Sequence, residues 1–279
     1  MKTISPVDIP ALLKQHGLRP DRGLGQNFLV DETALNKIIA AAEISPEQDV
    51  LEIGAGLGNL THRLALVARQ VVAVELDQRL ISPLREVIRD LSNVTVIQGD
   101  ILALDISIIM PGVTYLVVAN IPYYITSAVL RHLLENKPPP IRSVLTVQRE
   151  VAQRICAGPG EMSLLALSVQ VYGQPQIKGT IPAGAFYPPP KVDSAVIRID
   201  LFQEPRIPSD QLNAFFRLAK AGFSQKRKNL RNALAGGMGW SKDEAVQFLQ
   251  TSGIDPARRA ETLSLDEWAS LTQSVRKEI

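Results

Sequence analysis

Residues 117–130, VVANIPYYITSAVL, begin as an apolar run and end in a helical pattern, with Asn120, Ile121, Pro122, Tyr123 and Tyr124 between the two. A plain strand-to-helix loop needs a turn residue and a cap, not an amide followed by two phenols. These residue types suit a planar base with an exocyclic amine. The N6 amine of adenine is a poor nucleophile, because its lone pair is delocalised into the ring. Hydrogen-bond acceptors aimed at the amine counter this by favouring a more tetrahedral nitrogen. The Asn120 side-chain oxygen is one acceptor. A backbone carbonyl of the Ile121–Pro122 turn is a second, and Tyr123 offers a face on which a base can stack. The plainer reading makes Asn120 a turn residue and Tyr123 a core aromatic. A second aromatic–proline segment, AFYPPPKVDSAVI at 185–197, is stiffened by three prolines. Phe186 at its start is placed to close over the other face of the base, or else to fill the core at a strand entry.

A cofactor pattern precedes these segments. LEIGAGLGNL sets Gly54, Gly56 and Gly58 directly after a strand pattern, where glycines permit a tight turn and close approach of a ligand. The dinucleotide fingerprint G-x-G-x-x-G fails at Asn59. The next strand pattern ends in Glu75, where an acid accepts from ribose hydroxyls, and the third ends in Gly99-Asp100, where a carboxylate accepts from an adenine amine. The set asks for an adenosine without a pyrophosphate, and S-adenosylmethionine fits that request. The alternative is an ordinary turn with two solvated acids. Methyl transfer from a sulfonium is an in-line displacement with a neutral leaving group, so it depends on positioning more than on acid–base groups. The sequence offers no Ser-His-Asp or Cys-His arrangement that would point elsewhere.

The elements that must position these residues follow from hydrophobic periodicity. Short, nearly continuous apolar runs at 49–56, 70–77, 93–100, 114–120 and 143–150 read as strands covered on both faces. Helical patterns lie between them at 32–43, 58–68, 78–90 and 126–136, which predicts an α/β sheet with right-handed crossovers. PQIKGTIP and KVDSAVIRIDLF read as further strands. From about residue 203 only helical periodicity remains, at 209–221, 225–235, 241–252 and 264–276. Ser241 with Glu244, and Ser264 with Glu267, spell capping boxes. The boundary is set at 203, giving an α/β domain over 1–202 and a small all-α domain over 203–279.

Composition narrows the classes. Of the 279 residues 46% are hydrophobic and 21% charged, ordinary values for a globular chain. No apolar run approaches a membrane span, and the first residues lack the basic start and apolar core of a signal peptide. One cysteine forms no internal disulfide, and the cytoplasm is the expected compartment. Three scattered histidines and that cysteine do not make a metal site, so no metal is expected. The net charge of +2 divides unevenly: residues 1–200 hold 18 Lys/Arg against 19 Asp/Glu, and residues 201–279 hold 12 against 9. The basic excess gathers in KAGFSQKRKNLRNAL (220–234), with Lys220, Lys226, Arg227, Lys228 and Arg231. On a helix Arg227, Lys228 and Arg231 share one arc beside Leu230, Ala233 and Leu234, so one face docks while the other meets phosphates. A solvated basic face is the alternative.

Taken together the motifs resemble the KsgA (RsmA) family of small-subunit ribosomal RNA adenine N6,N6-dimethyltransferases. GLGQNFLVD (23–31), LEIGAGLGNLT, AVELD, QGDIL, NIPYYITS and FYPPPKVDSAV match that family's motifs in order and spacing, over about residues 15 to 275. The resemblance implies a Rossmann-like class I methyltransferase sheet. It implies that Gln26, Asn27 and Leu29 line the methionine side of S-adenosylmethionine, with Gly54 and Gly56 beneath it. Glu75 would hold the ribose, and Asp100 with Ile101 the adenine. Asn120 would lie between cofactor and target, with Tyr123 and Phe186 sandwiching the target adenine. It further implies two methyls on each of two adjacent adenosines in the 3′-terminal hairpin loop of 16S rRNA, late in assembly of the 30S subunit, by a protein expected to be monomeric. One departure stands out: the family often has Asn after the motif tyrosine, where this chain has Tyr124. The related Erm type, which methylates large-subunit RNA, and an assembly factor that has lost turnover are the competing readings. A nucleotide-dependent dehydrogenase is disfavoured by the missing third glycine.

Overall fold

The computed structural model describes residues 7–111, 114–225 and 227–275. Its strands, in chain order, are β1 (Phe28–Leu29), β2 (Asp49–Ile53), β3 (Gln70–Glu75), β4 (Val94–Gln98), β5 (Tyr115–Asn120), β6 (Arg142–Gln148), β7 (Gly173–Ile181), β8 (Phe186–Tyr187) and β9 (Ser194–Leu201). The helices are α1 (Ile9–Gln15), α2 (Glu32–Ala42), α3 (Asn59–Ala65), α4 (Gln78–Val87), α5 (Ile106–Ile109), α6 (Thr126–Glu135), α7 (Arg149–Ile155), α8 (Leu164–Gln170), α9 (Leu212–Phe223), α10 (Leu230–Met238), α11 (Lys242–Thr251) and α12 (Leu265–Val275). Each apolar run found in the sequence is a strand of one seven-stranded sheet ordered β4-β3-β2-β5-β6-β9-β7.

Strands β4, β3, β2, β5 and β6 run parallel to one another, and β9 runs antiparallel to β6. Every residue of β2 and the first five of β5 are buried, as expected of parallel strands with both faces covered. Helix α2 packs on β6 and β9, α3 on β3, and α4 on β3 and β4. Ile38, Leu64 and Leu84 from these helices join Val50, Leu116 and Val144 of the sheet in one core. Burying a Leu or Ile of this kind stabilises the fold by about 1.5–3 kcal/mol.

The order in which strands are added reverses between β2 and β5, which are themselves parallel. From β2 the chain adds β3 and then β4 on one side, and β5 and β6 lie on the other. The crevice above such a switch point is where open α/β sheets bind ligands. The C-terminal ends of β2 to β5 therefore bring Gly54, Glu75, Gly99 and Asn120 along one edge.

Two compact units emerge. One runs to Ala152 and resumes at Gln176–Leu201; the other comprises Gln153–Pro175 and the chain from Phe202 onward. Residues 153–175, assigned to the first domain by the boundary at 203, thus pack with the helices. Helix α8 explains this. Capped by Ser163, it buries Ala166, Leu167 and Val169 and lies against α9, while the Gly160 and Met162 N–H groups donate to the Glu261 carbonyl.

In the helical unit both capping boxes form. The Glu244 N–H donates to Ser241 Oγ at 3.1 Å and the Ser241 N–H to Glu244 Oε2 at 2.7 Å, with the same pair of bonds at Ser264 and Glu267. One expectation is corrected. The helix expected over 225–235 starts at Leu230, because Asn229 caps it by accepting from the Asn232 N–H at 3.2 Å. The preceding Ser-Gln-Lys-Arg-Lys offers no apolar side chain to hold an extra turn against the unit. Arg227 and Lys228 sit in a turn before the helix, so they share no helical arc with Arg231. Lys226 lies outside the described residues.

Candidate active site

The motif loops are joined before any side chain is considered. β1 pairs antiparallel with β8, setting Phe28 opposite Tyr187 and Leu29 opposite Phe186. The Val30 and Asp31 N–H groups both donate to the Ala185 carbonyl. The 23–31 segment is therefore stitched to the 185–197 segment. On its other flank the same segment meets the 120–125 loop: a Cβ at Gly25 (φ 63°) would fall 3.2 Å from Pro122 Cβ and 3.4 Å from the Tyr124 ring. Gly54, at φ 75°, lies under the Asn120 carbonyl, which a Cβ there would approach to 3.5 Å.

These loops enclose an open cleft whose empty volume is about 860 Å³, including the solvent at its mouth. Its wall contains Gln26, Asn27, Gly54, Gly56, Glu75, Asp100, Ile101, Asn120, Tyr123 and Phe186. Leu29 is the one sequence-nominated site residue of this unit outside that wall. It faces a smaller adjoining cavity with an empty volume of about 330 Å³, bounded also by Glu52, Asn59, Gly54 and Asn120.

Glu75 is buried at the end of β3. Its Oε2 accepts from the Gly56 N–H at 2.7 Å and its Oε1 from the Asp77 N–H at 2.8 Å. Each oxygen keeps lone-pair capacity for a further donor. Burial raises its pKa, and the two backbone donors oppose the rise. Asp77, two residues on, caps α4 and is held below the ordinary carboxylate range, chiefly by the Arg79 guanidinium. Asp77 Oδ2 also accepts from Gln26 Nε2 at 2.8 Å, and Gln26 Oε1 accepts from the Asp21 N–H at 2.7 Å. Arg79 bridges to Asp21 at 3.0 Å. The amide of Gln26 thus locks the 21–26 loop to the β3–α4 junction. Asp100 is exposed, with Oδ1 accepting from the Leu102 N–H at 2.9 Å, and Ile101 is buried beside it.

Asn120 Nδ2 donates to the Asn27 backbone carbonyl at 3.2 Å, which leaves its Oδ1 as an acceptor at the cleft. The Pro122 carbonyl accepts from the Ile125 N–H at 3.2 Å, and among the described residues the Ile121 carbonyl accepts no hydrogen bond. Tyr123 is fixed by a 2.6 Å hydrogen bond between its hydroxyl and the buried Ser194 Oγ. Phe186 is only 4% exposed and packs into the sheet core as well as the cleft wall.

Sequence reasoning gave no role to three residues that the geometry brings forward. Ser194 anchors Tyr123, and Asp77 anchors Gln26. Glu52 is fully buried beside the glycine loop, with the Thr61 hydroxyl as its nearest polar support. Burial pushes its carboxyl up to about 8; Thr61 opposes the rise and the neighbouring Glu75 adds to it. The signals were present in the motifs KVDS, ELD and LEIG, but nothing in the spacing says which of these polar groups turns inward.

Lys220, Arg227, Lys228 and Arg231 are exposed in the helical unit, and none has an ion-pair partner among the described residues. Among those residues no group of His, Cys, Asp and Glu side chains could hold a metal ion, and no helix is long and apolar enough to cross a membrane.

The groups present fit S-adenosylmethionine. A buried carboxylate with spare acceptor capacity suits a ribose diol, an exposed carboxylate suits an adenine amine, and the glycines admit a ligand against the backbone. The cleft lies at the switch point.

Comparison with known proteins agrees in fold and in sequence. The chain is 49% identical over 261 residues to the ribosomal RNA small subunit methyltransferase A of Dehalococcoides mccartyi strain CBDB1, covering 93% of this chain and 90% of that one. A crystal structure of a dimethyladenosine transferase from Plasmodium falciparum matches with a TM-score of 0.76 at 26% identity, covering 90% of this chain and 98% of the other. That of the 23S rRNA methyltransferase ErmE matches with a TM-score of 0.72 at 28% identity, covering 90% and 100%. The family model for ribosomal RNA adenine dimethylase spans residues 18–277, and with that span, and with a Rossmann-like methyltransferase sheet beneath it, the chain belongs to the ribosomal RNA adenine dimethylase family.

Proposed function

We infer that this protein is an S-adenosylmethionine-dependent adenine dimethylase of small-subunit ribosomal RNA. We propose that it places two methyls on N6 of each of two adjacent adenosines in the 3′-terminal hairpin loop of 16S rRNA, late in 30S assembly, as a cytoplasmic monomer. The observation that carries the reading is the Asn120 side chain, tethered through Nδ2 with Oδ1 left to face the cleft. The 49% identity to a small-subunit methyltransferase, against 28% to ErmE, favours the small subunit over large-subunit RNA.

S-adenosylmethionine supplies, when bound, an electrophilic methyl group on a sulfonium. The chain's task is positioning. Glu75 accepts from the ribose hydroxyls, and Asp100 accepts from the adenine amine of the cofactor with Ile101 packed beside it. Gly54 and Gly56 pass beneath, and Asn27 borders the methionine end. At the target, Asn120 Oδ1 and the Ile121 carbonyl accept from the N6 hydrogens, two in the first transfer and the one remaining in the second, and favour a more tetrahedral nitrogen. Each new N–CH3 bond is followed by loss of one N6 proton to solvent. Tyr123 stacks on the base, steadied by Ser194, and Phe186 supports the opposite side. The base must leave its stack to reach Asn120, which a hairpin loop makes easier than a duplex. Lys220, Lys226, Arg227, Lys228 and Arg231 contribute phosphate contacts.

Nucleoside mass spectrometry of rRNA from cells lacking the gene tests this. Loss of N6,N6-dimethyladenosine from 16S rRNA, restored by the wild-type gene and not by Asn120→Ala, is the expected result. Unchanged 16S rRNA with a loss in 23S rRNA contradicts it.

A further inference from the structure

Tyr124 is 61% exposed, yet it sits in a fixed turn. It lies in the one-turn helix Tyr123–Ile125, closed by the Ile125 N–H to the Pro122 carbonyl. Its ring lies against Gly25, where a Cβ would touch it at 3.4 Å. Among the described residues its hydroxyl makes no hydrogen bond. Two aromatic rings stand among the exposed large apolar side chains, Tyr124 and Tyr187, and of these Tyr124 borders the cleft. A rigid ring supported on one side and open on the other adds little to the core.

The two neighbouring phenols point to different jobs. Tyr123 turns inward, held by Ser194 at 2.6 Å. Tyr124 turns out at the mouth of the same cleft. Drawing a base out of its stack also strips a stacking partner from the base beside it. An exposed aromatic ring at the mouth replaces that lost partner, because every base presents a π-face.

We propose that Tyr124 stacks on the nucleobase next to the target adenosine in the RNA strand, holding the strand open while the target occupies the cleft. The proposal rests on the RNA-methylating function inferred above and adds an RNA-contacting residue to it.

The test uses the full-length protein and 30S subunits reconstituted with 16S rRNA whose 3′ segment is ligated from synthetic RNA. Separate substrates carry one abasic nucleotide: 5′ of the adenosine pair, 3′ of it, or at one of the two adenosines, with transfer scored at what remains. Tyr124→Ala is expected to lower kcat/KM for intact subunits about tenfold, within the range of a single stacked base. Tyr124→Phe stays within about twofold of wild type, since the ring and not the hydroxyl carries the contact. The cofactor Kd is unchanged in both. At least one abasic substrate lowers kcat/KM for wild type by a similar factor and leaves Tyr124→Ala no worse than on intact RNA, the non-additivity expected of groups in contact. Wild-type kinetics from Tyr124→Ala, a Phe variant as impaired as the Ala variant, additive losses, or a weakened cofactor Kd would each overturn the proposal. Wild-type protein that transfers no methyl group to intact subunits overturns the inferred function itself, a result distinct from normal wild-type transfer with an indifferent Tyr124→Ala.

Discussion

Asn120 and Asn27 are joined by a 3.2 Å hydrogen bond from the Asn120 amide nitrogen to the Asn27 backbone carbonyl. The bond fixes which end of the amide meets the substrate. With the donor engaged, the oxygen faces the cleft, the polarity that an amine nucleophile requires. Asn120→Ala should lower kcat by roughly 100-fold or more, the scale seen when one preorganised hydrogen-bonding group is removed from an active site. Cofactor binding should stay within a few-fold. Single-turnover methyl transfer alongside calorimetric titration of S-adenosylmethionine separates the two effects.

Glu75 should make cofactor affinity pH-dependent. Its pKa is raised by burial, and only the ionised form offers both oxygens to a diol. Affinity should therefore be full above that raised value and fall as pH drops through it. Glu75→Gln should bind S-adenosylmethionine more weakly and lose most of this dependence. Titration calorimetry from pH 5 to 8 on both proteins checks it, and a parallel fall in the two would remove Glu75 as the cause.

Glu52 should cost the fold stability as pH rises. Its folded pKa of about 8 lies above the ordinary carboxylate value of 4.5. Between those values the unfolded chain has released the proton and the folded chain has kept it, so stability falls with pH by at most about 1.4 kcal/mol per unit. Below the window the term is absent. Glu52→Gln, which mimics the protonated form, should match wild type near pH 4.5 and become progressively the more stable protein up to pH 8. Urea melts at several pH values measure the gap.

Ser194 supports Tyr123 from behind. Ser194→Ala removes the partner of a partly buried phenol and should destabilise by about 1 kcal/mol. It should also raise KM for RNA while leaving the cofactor Kd unchanged, and Ser194→Thr should restore part of the loss. A stability change without any effect on KM would make Ser194 structural only.

The exposed cations of the helical unit should act through phosphates. Arg231→Ala should weaken RNA binding about equally across sequences and reduce the slope of log K against log salt by about 1. Filter binding at several salt concentrations measures the slope.

Much of the cleft was legible because parallel strands are short apolar runs, and the residues that follow them must stand at one edge of the sheet. Gly54, Glu75, Asp100 and Asn120 needed only that rule. Gln26 was harder. Its side chain is spent on Asp77 and Asp21, a link between loops some 50 residues apart that no local pattern encodes. The two-residue pair β1–β8 is too short to show alternation, yet it is what carries Phe186 to the cleft. Helix α10 starts five residues later than the periodicity over 225–235 suggests, because periodicity does not mark a start and Asn229 caps the helix there. Residues 153–175 escaped the helical unit in the sequence because α8 spans only seven residues, too few for its period to stand out.

The most direct test is methyl transfer from labelled S-adenosylmethionine to unmethylated 30S subunits and, separately, to naked 23S rRNA, with the products identified by mass spectrometry. N6,N6-dimethyladenosine on the 30S subunit alone is the predicted result. Label on 23S rRNA alone, or none on either RNA with the cofactor bound, would contradict it.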